Sequence, residues 1–183
     1  LDELLKVLGK YRAAINEVAF FTAETHAPLP LDVFERRTAR LKEIMPHFRS
    51  LGMTTGINII ATIGHHEENL QGSLDMPWQR LVAPDGAECK GSYCPSDEDM
   101  QGYIRRIYQL AAEANPDFIW IDDDVRLYGH MPIVCGCFCK NCMEIFSSET
   151  GERWTREKLM SVLDGSPVEE KVLLRKKWLE HNR

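Results

Sequence analysis

The 183-residue chain has no basic stripe: its 22 Lys and Arg are outnumbered by 28 Asp and Glu, for a formal net charge of −6. That balance argues against a nucleic-acid or anionic-membrane partner. The densest basic cluster, Arg175, Lys176 and Lys177, reads as the solvated face of a last helix. No run of about 18 apolar residues is present, so no membrane-spanning helix is expected. A Gly-rich phosphate loop ahead of a helix is missing, and so is a Gly-x-Ser-x-Gly elbow, which disfavours nucleotide binding and serine-hydrolase chemistry. Internal repeats and low-complexity tracts are also missing. The opening LDELLKVLGKY has neither an initiator Met nor the apolar core of a signal peptide. It marks a chain processed or cut from a longer one and favours a cytoplasmic location.

Six cysteines in a chain of this length are too sparse for a disulfide scaffold. They are not evenly spread: Cys135, Cys137, Cys139 and Cys142 fall within IVCGCFCKNCMEIF. Cys137-x-Cys139-x-x-Cys142 supplies soft thiolates at metal-ligand spacing. Soft ligands in tetrahedral array favour Zn²⁺, and a structural site wants four. Cys94 in GSYCPSDED is the first choice for the fourth, with Cys135 and Cys89 as alternates. It sits just before a helix whose following strand runs back towards it, so the loop after that strand returns to the helix start. Unpaired or opportunistically oxidised thiols, Cys89 with Cys94 for example, are the competing reading.

Hydrophobic content of 44% and charged content of 27% are those of an ordinary globular chain, and the pattern alternates strand and helix. Leu4, Leu5, Leu8 and Tyr11 form one helical stripe. A strand is expected at 17–22, then a helix over 32–51 with Pro46 kinking it and Gly52 stopping it. TTGINIIATIG at 54–64 reads as a buried strand. A connection of some thirty residues follows, long enough to be functional. Ser96 and Asp99 form a capping-box signature for a helix over 96–114, which the Asn115-Pro116 pair closes. A strand at 117–122 comes next, with short helices near 139–149 and 155–164. A last helix starts at Pro167, with Ser166 and Glu169 as its caps. Strand–helix units in series imply a parallel sheet in a single α/β domain over 1–183.

In such folds chemistry gathers where strands end. The tips here read TAETH, TIGHHEEN and IDDDVR, all acidic or imidazole-bearing. Asp122 and Asp124 would share one face of an extended segment, with Asp123 opposed. Adjacent carboxylates aimed into one pocket raise one another's pKa, which is how a general acid is made. Arg126 can hold another ionised. Glu24, His65 and His66 are candidates for substrate hydroxyls, and Trp78 is a candidate stacking platform. Trp120, mid-strand, is expected in the core.

The stretch SYCPSDEDMQGYIRRIYQLAAE, with DFIWIDDD and CFCKNCMEIFSSETG after it, resembles the β-galactosidases of glycoside hydrolase family 42. It also resembles uncharacterised hydrolase-like proteins with a DFIWIDDD-type strand. The match is strongest over 92–150. The resemblance implies zinc on Cys94, Cys137, Cys139 and Cys142, and a (β/α)₈ barrel of TIM type of which this chain holds part. It also implies a carbohydrate substrate, with a strand-tip carboxylate as acid/base. Where that family has Asn-Glu, this chain has Asp123-Asp124. The expected function is therefore hydrolysis of a glycosidic bond by Asp124 or Asp122, with a structural zinc beside the sugar pocket and the nucleophile outside this chain or missing. Two rivals are a non-catalytic carbohydrate-binding domain and a metal-dependent hydrolase using His65, His66 and Asp122 to Asp124. Self-association into a homo-oligomer is left open.

Overall fold

The computed structural model describes residues 1–60, 62–65, 70–122, 125–164 and 168–183, Leu70 by its backbone. Chain contacts divide it into two compact units, Leu1–Thr62 with Gly102–Val125, and Ile63–Gln101 with Arg126–Arg183.

The first unit holds α1 (Asp2–Lys10), β1 (Glu17–Phe21), α2 (Leu31–Ser50) and β2 (Thr54–Ile59). Its strands form an open parallel sheet in the order β1-β2-β5, the last strand being β5 (Phe118–Ile121). The register sets Glu17 opposite Thr54 and Ile59 opposite Ile121. β2 is central and buried from Thr55 to Ile59, as its β-branched run predicts. Gly56 lies opposite Phe118. A Cβ there would come within 2.2 Å of the Phe118 ring, so this position takes no side chain. α2 turns Phe34, Thr38, Leu41, Met45 and Phe48 inward at helical spacing, and runs on through Pro46 to Ser50. Phe48 meets Phe20 of β1 edge-on at 5.0 Å.

The second unit holds α3 (Leu70–Leu74) and a hairpin of β3 (Arg80–Val82) with β4 (Glu88–Tyr93). A Pro84-Asp85-Gly86 turn joins the two strands: Gly86 adopts φ +92°, and Asp85 Oδ1 accepts from the Ala87 N–H at 2.9 Å. Then come α5 (Lys140–Thr150), α6 (Arg156–Leu163) and α7 (Glu169–His181). These helices enclose a small core of Phe138, Met143, Phe146, Trp154, Leu159 and Trp178. α4 (Glu98–Glu113) begins in this unit and passes into the first at Gly102.

The barrel expectation is overturned. The described residues form seven helices, a three-stranded parallel sheet and a separate two-stranded antiparallel ribbon, with no closed sheet. A barrel closes by pairing its last strand with its first. Here β1 and β5 each pair only with β2, and the described chain after β5 turns to helices rather than to further parallel strands. The edge position of β5 also corrects Trp120, which is 57% exposed rather than in the core. The long connection after β2 is not a plain loop, for it carries α3 and the hairpin. The cap of α4 is Asp97, whose Oδ1 accepts from the Met100 N–H at 2.9 Å, rather than the Ser96 and Asp99 pair. At the other end of α4, Asn115 takes the left-handed conformation at φ 57° just before Pro116. Of the expected α7 caps, Ser166 lies outside the described residues. The N-cap position belongs to Val168, which offers no side-chain bond.

Candidate metal centre

Three pieces of the second unit deliver the cysteines. Cys94 leaves β4 in a tight turn: its N–H donates to the Gln79 carbonyl at 2.7 Å, and its own carbonyl accepts from the Asp97 N–H at 3.0 Å. Cys137 and Cys139 lie in the loop before α5. Phe138 N–H donates to the Val82 carbonyl of β3 at 2.8 Å, and Cys137 N–H donates to Asn182 Oδ1 at 2.9 Å. Trp178 Nε1–H donates to the Cys135 carbonyl at 2.9 Å. Gly136 makes this close approach feasible: it sits at φ +107°, and a Cβ there would meet the Asn182 side chain at 2.5 Å. Cys139 is the N-cap residue of α5, which places Cys142 in the first helical turn.

The four sulfurs lie within 4.8 Å of one another. Cys94 Sγ is 3.4 Å from Cys142 Sγ and 3.5 Å from Cys139 Sγ. These are not disulfides, whose sulfurs sit about 2.05 Å apart, and all six cysteines are free thiols. Tetrahedral bonds of about 2.3 Å to a zinc ion put the sulfurs about 3.8 Å apart, so the donor set fits the ion in size as well as in chemistry. All four residues are buried, at 0 to 3% exposure. Cys89 is buried in β4 and Cys135 partly buried, and neither belongs to the cluster, so both alternates for the fourth ligand fall away.

The four thiols shift one another's pKa in opposite directions. Hydrogen bonds from Cys137, then Cys142 and Cys94, hold Cys139 far below the ordinary thiol range. The Cys137 thiol in turn is pushed up, chiefly by its bond to Cys139, and that of Cys142 by its bonds to Cys137 and Cys139. Cys94 is lowered, first by Cys137. Once one thiolate forms, its neighbours resist a second negative charge unless a cation arrives. Two features would help carry that charge: the Ser96 N–H points at Cys94 Sγ at 3.4 Å, and the N-terminus of α5 faces the cluster.

The other expected site residues are distributed as follows. At the carboxyl end of the parallel sheet, Asn58 Nδ2 donates to Asp122 Oδ2 at 3.4 Å, and Thr22 Oγ1 donates to the Asn58 carbonyl at 3.0 Å. Glu24 is exposed and accepts from Arg37 Nη1 at 2.9 Å, an interaction that lowers its pKa. In the second unit, His65 packs against the buried His130 ring at 5.2 Å. His130 Nδ1 lies 3.3 Å from Ser92 Oγ. Trp78 stands edge-on to Tyr93 at 5.1 Å, and Arg126 is exposed in the loop before the cysteines. Asp123, Asp124 and His66 lie outside the described residues. Asn58, Arg37 and Asn182 were not legible as site residues, because each is an ordinary polar residue placed by tertiary pairing.

Geometry and chemistry together define a buried four-cysteine cluster able to hold a metal ion. No family model, curated protein or solved structure matches the chain. Among the described residues no helix is long and apolar enough to cross a membrane.

Proposed function

We propose that Cys94, Cys137, Cys139 and Cys142 bind one Zn²⁺ as thiolates and that the ion is structural. The mutual approach of the four sulfurs within 4.8 Å carries this reading. Four protein sulfurs fill a tetrahedral shell and leave no place for water or substrate. When bound, zinc would neutralise thiolate charge and cross-link the hairpin, the loop and α5. The protein's own part is to orient: Asn182 and Val82 fix the loop, and the Ser96 amide steadies Cys94. Elemental analysis of the purified protein should give one zinc per chain, released when the thiols are mercurated. A metal-free protein that is folded and takes up no zinc would overturn this reading.

A second reading concerns the sheet's carboxyl edge. It is favoured by the run of contacts from Thr22 through Asn58 to Asp122 across three adjacent strands. Ligands of open parallel sheets bind outside this edge. With the resemblance to family 42, this supports cleavage of a glycosidic bond. Asp122 would give its proton to the glycosidic oxygen as the carbon–oxygen bond breaks, and water would add to the sugar carbon, its released proton returning to the Asp122 carboxylate. Arg37 holds Glu24 ionised, which suits a hydroxyl contact and not the acid role. The metal-dependent alternative draws on His66, Asp123 and Asp124, which lie outside the described residues. Turnover of aryl glycosides, lowered about 100-fold or more in Asp122→Asn, is the expected result. Sugar binding without turnover would favour the non-catalytic alternative.

A further inference from the structure

We infer that Cys94 and Cys142 are an oxidisable pair, which hydrogen peroxide joins as a disulfide with loss of the metal, and that an acidic groove beside them selects the oxidant. The inference rests on the zinc reading above and makes no use of the sheet edge. Cys94 Sγ stands 3.4 Å from Cys142 Sγ, slightly nearer than the 3.5 Å to Cys139 Sγ. A disulfide needs the two sulfurs about 1.4 Å closer. Ser96 marks the side from which this pair is reached, because it touches both members. Its N–H donates to Cys94 Sγ at 3.4 Å, and its Oγ lies 3.8 Å from Cys142 Sγ. The same serine, with Asn141, lines a groove of about 410 Å³. Both residues are half-buried, while the sulfurs behind them belong to buried residues.

The groove's other walls carry Asp97, Glu98, Asp99 and Glu144. Lys140 stands 3.8 Å from Glu144, which leaves negative charge in excess. A field of that sign repels an anionic disulfide such as oxidised glutathione, attracts a cationic one, and is indifferent to a small neutral peroxide. The chemistry then balances as follows. The Cys142 thiolate attacks one peroxide oxygen: a sulfur–oxygen bond forms, the oxygen–oxygen bond breaks, and the hydroxide released takes a solvent proton to become water. The Cys94 thiolate next attacks Cys142 Sγ: the sulfur–sulfur bond forms, the sulfur–oxygen bond breaks, and the second hydroxide leaves and is protonated. Two thiolates lose two electrons and one peroxide gains them. Only Cys137 and Cys139 then remain as thiolates, too few for the four-coordinate shell of a structural site. The disulfide still ties the end of β4 to α5, whereas the loop that carries Cys137 and Cys139 is released from that tie.

The test starts from the full chain, its zinc content measured first, and follows zinc release with a chromogenic chelator. A few equivalents of hydrogen peroxide should release one zinc per chain and consume two thiols, and peptide mapping should join Cys94 to Cys142. Dithiothreitol should restore both thiols and zinc uptake. Cystamine, a cationic disulfide, should release zinc about tenfold or more faster than oxidised glutathione. That ratio should collapse in the combined variant Glu98→Gln, Asp99→Asn, Glu144→Gln, whose positions lie outside the sulfur cluster. A protein that holds zinc and keeps it under peroxide would overturn the switch and leave the zinc reading intact, as would zinc loss through a Cys94–Cys139 disulfide or through irreversible sulfinic acids. A ratio untouched by neutralising the groove would overturn the selection of oxidant. A folded protein that never holds zinc would sink both readings.

Discussion

The cysteine cluster and the acidic edge of the parallel sheet are both polar constellations, yet they stand in opposite conditions. The four sulfurs are buried and have chiefly one another for company. Among the acids of the sheet unit, Glu24 has Arg37, Asp122 has Asn58, and Asp117 has Thr55 and Arg49. The acids are satisfied by the protein alone and stay partly open to water. The thiolates can all form only if a cation joins them. With zinc bound as proposed, the first arrangement would make the fold depend on a ligand, while the second merely makes a ligand possible.

The largest expected effect follows from that dependence. Structural zinc contributes about 10–16 kcal/mol of apparent binding free energy in small peptide domains, more than a typical fold's net stability of about 5–15 kcal/mol. Chelation, or Cys142→Ser, should abolish hydrogen-exchange protection in β3, β4, α5 and α7. Protection of β1, β2 and β5 should survive, since their pairing uses none of the cysteines. Equal protection of the hairpin with and without metal would erase the contrast between the two regions.

The two regions also differ in how far they could be read beforehand. Cys137-x-Cys139-x-x-Cys142 was legible because metal ligation imposes spacing on a local segment. Cys94 followed from its place before a helix, and the cluster assembles as that reasoning required. The three parallel strands and the helices α2, α4, α5 and α6 were legible from period and composition. The hairpin was missed although Pro84-Asp85-Gly86 between two apolar-bearing segments is a turn signal. A run ending Gly-Ser-Tyr-Cys looked like loop because its glycine and polar residues mask the strand's alternation. The barrel expectation failed for a different reason. Strand–helix alternation specifies parallel pairing locally but says nothing about whether a sheet closes, and here β5 remains an edge. Asn182 illustrates the rest: a contact to Cys137 spanning 45 positions leaves no trace in local pattern.

The sheet unit should be sensitive to packing where the cysteine unit is sensitive to metal. Gly56→Ala drives a methyl into the Phe118 ring between β2 and β5. Overpacking of this kind costs about 1–3 kcal/mol. A lower urea midpoint for the sheet unit is expected, with zinc content unchanged at one per chain. If zinc were lost as well, the two regions would be coupled more tightly than their separate contacts imply.

The smallest effect concerns Asp117, and it is set by pH. Its carboxylate accepts from the Thr55 N–H at 2.7 Å, the Thr55 hydroxyl at 2.9 Å and Arg49 Nε at 3.0 Å. The Thr55 amide first, then Arg49, hold its pKa below the usual carboxylate value. Because the folded pKa lies below the unfolded one of about 3.9, the unfolded chain takes up the proton more readily. The stabilisation is therefore present in full above the unfolded pKa and is lost as pH falls through the folded one. Asp117→Asn fixes the neutral state and turns an amide towards donors, so it should lower the unfolding midpoint modestly at neutral pH. The gap to the unsubstituted protein should hold down to about pH 5 and shrink once pH drops below about 4. A gap that persisted undiminished into strong acid would mean that Asp117 acts through shape and not charge. The acids of the sheet unit would then no longer contrast with the thiolates in the way argued above, since charge would set neither their stability nor its pH dependence.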